Sequence, residues 1–467
     1  MAARLMTIDR DTPLLLPPNL RDWVPDDHLV QFILDAVDAL DLRQVKVNTR
    51  GTGSEQYPPP MLLALLIYSY ATGIFGSRRI EQSTYDSVPV RLLTADTHPD
   101  HDTLCTFRRE NQALLNESFV QVLELAQSLK FLKFGQLTVA ADGTKVLAHA
   151  SKHSAVSYER AGEMITQLEL EVQQLLAKAE QADATPLQDG LTIPGEITRR
   201  RERQAALAQA RVEIEARAHA RYTIQLAQHE QKLAERAARE AHGEKVRGKL
   251  PAAPSPTPAP KDQYNFTDPE SRIMKAGNGP HFEQTYNAQA VVEVESRLIV
   301  GERISQAPND KQELVPTLAA IPAVVGPVAA ALVDSGFVSA AAVTQVEQLA
   351  DGTPSGTVVY APVEKTSHHR SVADLEVKSE PVPPPAGASV PAVLSHRLQT
   401  AAGKALYKLR QQTVEPVFGI IKSVLGFRQF RLRGQVKAAL EWTLVCLAYN
   451  LKRLHRMGAG LKLAHRA

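Results

Sequence analysis

The sequence predicts an α/β protein: a mixed sheet flanked by helices, preceded by an all-helical N-terminal domain and interrupted by a long helical hairpin. Three observations carry this reading. The first 130 residues show only helical periodicity, with short polar turns between segments. Ser154 to Gly248 is rich in Ala, Gln, Glu and Arg and keeps a helix-seam spacing. Outside that block, short apolar runs and helical runs follow the order β, β-β, α-β-α-β, then helices, which fits one mixed sheet.

Taken in order, Val30, Ile33, Leu34 and Val37 form one apolar helical face. The prolines at 58–60 introduce Met61–Tyr70, which is apolar nearly all round and therefore expected to be buried, with Gly73 and Gly76 ending it. Ser77 is expected to cap a third helix, and Asp102 or Thr103 a fourth that displays Arg108 and Arg109 as an exposed pair. Short capped helices with such a pair are compatible with a helix-turn-helix that meets DNA. Leu137–Ala141, bounded by Gly135 and Asp142-Gly143, reads as a buried strand.

Ile165, Leu168, Val172, Leu175 and Leu176 form the first seam of the helical block, and Ile197, Ile224 and Leu233 continue the pattern. Two antiparallel helices turning near Pro186–Pro194 are the economical reading. Pro251–Pro260 cannot continue a helix and is expected to act as a semi-rigid linker. Beyond it the period changes to two. Tyr286–Glu293 and Arg297–Ile304 read as a hairpin turning at Glu295-Ser296, Ala329–Val333 and Thr357–Ala361 as strands, and Gln312–Ala320 and Val338–Leu349 as helices. After a second proline-rich loop, Pro381–Pro391, the chain closes with helices over Lys404–Arg410, Val414–Leu425 and Val436–His455. The expected domains are 1–130, a helical DNA-end-binding domain; 131–153, the first core segment; 154–250, the helical insertion; 251–262, the linker; and 263–467, the rest of the core with basic terminal helices.

The 467 residues allow roughly two to four domains. A 44% hydrophobic content is too rich for a disordered chain. Two cysteines exclude a disulfide framework or a multi-thiolate metal site and fit a reducing cytosol. No apolar run approaches the roughly 20 residues of a membrane span, and Met1–Arg10 lacks the apolar stretch of a secretory signal. The net charge of +2 conceals a segregation: Ala401–Ala467 carries 13 Lys+Arg against Glu415 and Glu441, a local +11 that leaves −9 on the preceding 400 residues. A basic terminal seventh is the footprint of a polyanion-binding face.

Three acids stand out by position. Asp142 follows the first strand, Asp334 follows Ala330–Val333, and Glu415 is expected in the first turn of a helix capped by Thr413, with Pro416 where a missing N–H costs little. Carboxylates at the ends of neighbouring buried strands repel one another, and a divalent metal with a preference for hard oxygen, Mg²⁺ or Mn²⁺, is the usual remedy. The competing reading of each Asp is a turn residue beside glycine. Lys422 lies seven residues beyond Glu415, about 700° around the helix, and so is expected to share its face two turns away, where it could hold a phosphate. Arg428, Arg431 and Arg433, interleaved with Phe427 and Phe430, could grip phosphates or stack on unpaired bases. Glu441 reads as an exposed helix residue. His149, His153, His281 and His368-His369 lack the two-His spacing of a zinc protease, and no nucleophile elbow or phosphate-cradling glycine loop is present.

Several of these stretches together resemble bacterial insertion-sequence DDE transposases. Tyr407, Arg410, Glu415 and Lys422 look like the Tyr/Arg/Glu/Lys signature, although four residues separate Arg410 from Glu415 where the usual signature has three. Ala141-Asp142-Gly143-Thr144-Lys145 looks like the first aspartate segment and Asp334-Ser335-Gly336-Phe337 like the second. Asp268–Lys275 leading to Tyr286-Asn287-Ala288-Gln289-Ala290, Gly426–Gly434, and Arg108-Arg109-Glu110-Asn111 are similar to the same branch. The stretch Pro381–Leu398 lacks the tryptophan expected before the Glu helix.

The resemblance implies a ribonuclease-H-like core whose Asp142, Asp334 and Glu415 bind two Mg²⁺ (or Mn²⁺) ions. It implies cleavage at transposon ends and strand transfer of a 3′-hydroxyl into target DNA, with Tyr407, Arg410 and Lys422 holding DNA backbone. The expected partners are double-stranded DNA (terminal inverted repeats and target) and a second copy, since two ends must be held together, in the bacterial cytoplasm at the nucleoid and without a membrane. The alternatives are a non-catalytic DNA-binding relative and a nuclease of the same core without strand transfer.

Overall fold

A computed structural model describes residues 19–46, 56–180, 191–241, 249–275, 281–363, 380–385 and 387–459. The expected turn near Pro186, the pair His368-His369 and the stretch Met1–Arg10 lie outside them. Among the described residues the chain is a mixed α/β protein with 13 α-helices. It divides into two units: the first comprises residues 1–146 and 286–467, the second residues 147–285.

In the first unit six helices lead: α1 (Leu29–Asp38), α2 (Pro59–Ala71), α3 (Ser77–Asp86), α4 (Val88–Leu93), α5 (His101–Glu110) and α6 (Gln112–Ser128). Helix α2 is buried from Leu62 through Ala71, as its lack of a polar face requires. The caps fall slightly earlier than expected. Gly76 precedes α3, so Ser77 is its first residue, and Asp100 caps α5 by accepting the Thr103 N–H at 2.6 Å.

Strand β1 (Leu137–Leu147) is longer than its apolar run and passes straight through Asp142-Gly143. The turn reading of this Asp-Gly pair is thus incorrect. A Cβ on Gly143 would stand 2.3 Å from Gln289 Nε2 and 2.7 Å from Asp310 Oδ1, so glycine is there for close approach.

The sheet continues with β5 (Phe282–Glu293), β6 (Ile299–Ser305), β7 (Val328–Leu332) and β8 (Val358–Tyr360), in the order β5-β1-β7-β8 with β6 also on β5. The β5–β6 pair is antiparallel, whereas β1, β7 and β8 are mutually parallel. Helices α9 (Leu314–Leu318) and α10 (Ala340–Glu347) fall where expected but are shorter.

The terminal helices are α11 (Val390–Gln399), α12 (Ala401–Gly419) and α13 (Gln435–Arg456). The two expected helices Lys404–Arg410 and Val414–Leu425 are instead one continuous α12 that passes into a π-helical turn, Ile420–Val424. Thr413 is therefore mid-helix and buried, its hydroxyl donating to the Leu409 carbonyl at 2.7 Å, and Pro416 lies inside the helix. Tertiary burial of Val414, Val417 and Phe418 holds the helix through a residue that propensity would place at its start. Helix α13 packs against α2, α6 and β6. Its Trp442 donates to the Gln289 carbonyl at 3.0 Å, and its Asn450 amide brackets Ile299 by accepting from the N–H (2.9 Å) and donating to the C=O (2.8 Å).

The second unit holds α7 (Tyr158–Glu180) and α8 (Ile193–Ala241), which run antiparallel: Glu171 pairs with Arg200, Glu169 with Gln204, and Tyr158 with Arg211 and Glu215. Its core is Val156, Ala161, Leu207 and Ala210, with Ile165 and Leu168 packed on it, while Leu176, Ile224 and Leu233 are exposed. Two short strands escaped the sequence reading, β2 (Ala155–Ser157) and β3 (Gln263–Asn265), which pair antiparallel. A third, β4 (Arg272–Lys275), pairs with the start of β5. The proline run is docked at its end, where Asp262 takes the Arg221 guanidinium at 2.7 Å and its carbonyl accepts from Tyr158 N–H.

Candidate functional site

The parallel register pairs Ala140 with Leu332. Two residues beyond this pair stand Asp142, within β1, and Asp334, just past β7, so the parallel register sets one carboxylate from each segment at the end of the β1–β7 ladder. Asp334 then caps the following turn, accepting the Gly336 N–H at 2.7 Å. Asp142 accepts the Gly143 N–H at 2.8 Å.

Helix α12 brings the third acid through an arginine. Arg410, buried, donates from Nη2 to Asp142 Oδ2 at 2.8 Å and from Nη1 to Glu415 Oε1 at 3.5 Å. The Glu415 side chain is 54% exposed and that of Asp142 19%. The Arg410 Nε atom is buried without a partner.

Burial pushes the Asp142 carboxyl up to about 6, although the Arg410 guanidinium pulls it down; the Asp334 and Asp310 carboxylates add to the rise, and the Gly143 N–H opposes it. Tyr407 donates to the Val333 carbonyl at 3.2 Å. Burial raises its phenol, Arg410 opposes, and Asp334, Asp142 and Glu415 add. These five side chains therefore share one electrostatic neighbourhood.

Lys422 lies inside a π turn that begins at Ile420, so the α-helical spacing behind its expected place on the Glu415 face does not hold through it. Its ammonium instead donates to the Lys145 carbonyl on β1 at 2.8 Å and is pushed down by burial, by Arg428 and by Lys145.

The basic loop after the π turn also differs from its reading. Phe427 and Phe430 are fully buried, edge-on to Phe75 (5.1 Å) and Tyr286 (5.8 Å), and so cannot stack on bases, while Arg428, Arg431 and Arg433 are exposed. The expected exposed arginine pair is divided: Arg109 is exposed, but Arg108 is 4% exposed and donates to the Tyr70 hydroxyl at 3.1 Å. Glu441, expected on the surface, is fully buried, since α13 is enclosed on most sides at mid-length.

A polar recess on the other side of β1 was missed. Asp310 Oδ1 accepts from Asn287 Nδ2 and Gln289 Nε2, both at 2.7 Å. Lys145 Nζ, Asn287 Oδ1 and Gln289 Oε1 there are buried without partners. Polar residues at alternate positions of an otherwise apolar β5 are the signal that could have found Asn287 and Gln289. Asp310, in a polar loop, offers none.

Hard carboxylate oxygens at Asp142, Asp334 and Glu415 fit a divalent cation in donor chemistry. Among the described residues, however, no three acidic, His or Cys groups are disposed to hold a metal, and Arg410 ties Asp142 to Glu415. No described helix is long and apolar enough to cross a membrane.

Two family models match. Residues 387–455 match the Transposase DDE domain, and residues 18–110 match the Transposase domain (DUF772). Neither match reaches Asp142 or Asp334. No curated protein and no solved structure matches the chain. The first match contains Tyr407, Arg410, Glu415, Lys422 and the arginine loop; the second contains the helices α1 to α5. These two segments make the chain similar to the insertion-sequence DDE transposases, DNA-processing enzymes of transposition, and support that reading of it.

Proposed function

We propose that the protein cleaves DNA at transposon ends and transfers a 3′-hydroxyl into target DNA, using a ribonuclease-H-like core with Asp142, Asp334 and Glu415 as metal-binding triad. The observation that carries the reading is that Asp142 and Asp334 stand together just past the end of the parallel β1–β7 ladder, where Asp334 helps to raise Asp142. A divalent cation would relieve that repulsion, and the donors suit Mg²⁺ or Mn²⁺. When bound, two such ions would supply activation of a water or hydroxyl and stabilisation of the leaving oxygen.

The protein's own groups hold and orient. Arg410 keeps Asp142 and Glu415 together until a DNA phosphate competes for its guanidinium, leaving the acids free for the cation. Tyr407, anchored on the residue before Asp334, borders the same space. Lys422, tied to β1 three residues after Asp142, and Arg428, Arg431 and Arg433 beyond it hold the phosphate backbone, with Arg109 on the N-terminal helices. Arg108, being buried, has no part in that contact. A second copy holds the second end, and the α7–α8 hairpin serves assembly or DNA clamping.

Mg²⁺-dependent nicking of DNA carrying the inverted repeats that bracket the gene tests the reading. Asp142→Asn and Asp334→Asn should each abolish it, and variants that cut like wild type would sink the triad. Joined donor–target product separates transposition from a nuclease of the same core. Removal of Ser154–Leu250 with unchanged end pairing would dismiss the role given to the hairpin.

A further inference from the structure

The segments 18–110 and 387–455 meet in a buried charged cluster that the catalytic reading does not use. Arg108 of α5 donates to the Tyr70 hydroxyl of α2 at 3.1 Å, and that hydroxyl donates to Glu441 Oε1 of α13 at 2.9 Å. The second carboxylate oxygen, Oε2, faces the chain just before α13 and accepts two backbone N–H groups, from Arg431 at 2.8 Å and Leu432 at 3.0 Å. Glu441 is fully buried, Tyr70 is 1% exposed and Arg108 4%.

A buried carboxylate is costly unless its lone pairs are met, and a core of this size could have been built with apolar residues alone. What distinguishes this cluster is where its last two hydrogen bonds go. They end on the backbone of the Gly426–Gly434 loop, whose side chains divide sharply. Phe427 and Phe430 are pegged into the core, whereas Arg428, Arg431 and Arg433 are exposed. The end of α2 presses on the same loop from behind: a Cβ on Gly73, itself at φ +86°, would stand 2.8 Å from the Leu425 carbonyl oxygen. A loop with three arginines in six residues repels itself and, left unheld, would sample many orientations.

We infer that Glu441, braced by Tyr70 and Arg108, is the positioning residue of the arginine loop, fixing the Arg431–Leu432 backbone so that Arg428, Arg431 and Arg433 face a DNA backbone as a set. This rests on the DNA-facing reading of the loop given above. It makes the N-terminal helices a brace for the DNA grip and turns Arg108 from a contact into a support.

The experiment uses the full-length protein and a short labelled duplex of mixed sequence. Two quantities are read: hydrogen exchange at the Arg431 and Leu432 amides, and the slope of log affinity against log salt. Each lost arginine–phosphate contact makes that slope shallower by about 0.9. Arg108→Met with Glu441→Leu removes both buried charges, so stability recovers relative to Glu441→Leu alone. The loop should nevertheless exchange faster and the slope move toward that of the variant carrying Arg428→Ala, Arg431→Ala and Arg433→Ala. Glu441→Gln keeps an acceptor oxygen and should retain the wild-type slope.

The proposal is overturned by a double variant with wild-type protection or wild-type slope, or by a Glu441→Gln slope as shallow as that of the double variant. Should the double variant not fold, Tyr70→Phe, which deletes one hydroxyl, must loosen the two amides; unchanged protection overturns the proposal equally. A triple arginine variant with the wild-type slope overturns the DNA reading of the loop as well. A shallow triple variant beside an unchanged double variant overturns the positioning role alone.

Discussion

Two carboxylate–arginine clusters in the same unit use the same chemistry to opposite ends. Around Glu441 every partner is in place: one carboxylate oxygen takes the Tyr70 hydroxyl, the other takes two backbone N–H groups, and Arg108 closes the chain of hydrogen bonds. Around Asp142 the arrangement is incomplete. Arg410 serves two acids with one bond at 2.8 Å and another at 3.5 Å, its Nε is buried without a partner, and Glu415 is half exposed. A satisfied buried cluster resists change and fits a structural part. An unsatisfied one, with an acid raised to about 6 beside a second acid, is the arrangement that functional sites tend to show, in keeping with the role proposed for it.

Substitution should separate the two clusters sharply. Asp142→Asn should lower strand cleavage by at least about 10³-fold, on the order of 4 kcal/mol of transition-state stabilisation, while duplex binding at low salt persists. Comparable losses of cleavage and binding would erase the distinction between the clusters. The reverse pattern belongs to Glu441→Leu, which leaves Arg108 buried without its carboxylate. It should cost about 3–5 kcal/mol in urea unfolding, most of which Arg108→Met restores. A loss below about 1 kcal/mol would show that the cluster is wetter than its burial implies.

Glu302 supplies the intermediate case. It accepts the Thr443 hydroxyl at 2.6 Å on the wall of a cavity of about 470 Å³, and burial pushes it up to about 7, with the Thr443 hydrogen bond opposing. Its folded pKa lies above its unfolded value. The stability it contributes is therefore complete below about pH 4.5 and is lost as pH rises through 7. Glu302→Gln should flatten that loss by about 1–3 kcal/mol between pH 4.5 and 8, as read by urea midpoints across pH. Parallel pH curves for the variant and wild type would contradict the assignment. The smallest expected effect concerns Arg410. Because its guanidinium holds Asp142 down, Arg410→Met should raise the Asp142 carboxyl further above 6, on the order of one unit by NMR titration in chelator. No movement would mean that the contact carries little charge coupling.

Much of the architecture was legible from pattern. Alternation located β5 and β6, an apolar sweep marked α2 as buried, and the Ala-rich block marked the α7–α8 hairpin. The errors share a cause: a local signal was read where tertiary packing decides. Asp142-Gly143 resembled a turn, yet the strand continues because the polar face of β5 needs the space that a side chain would fill. Thr413 and Pro416 resembled a helix start, yet burial of Val414 and Val417 carries α12 through them. The three-residue strands β2 and β3 offered too few positions for a period to show.

The sequence by itself determined the order of elements, the basic terminal seventh and the candidate acids, since all three depend on residue type and spacing along the chain. Only the tertiary structure decided which charges are available. Arg108 and Arg109 are neighbours of one kind, and so are Glu415 and Glu441 as the two acids of the basic seventh. In each pair one is buried and hydrogen-bonded while the other faces solvent. Charge is a property of the residue, but its desolvation is set by what other segments bring against it. Helices α2 and α5 and the Gly426–Gly434 loop close over Glu441, while Glu415 on α12 stays open.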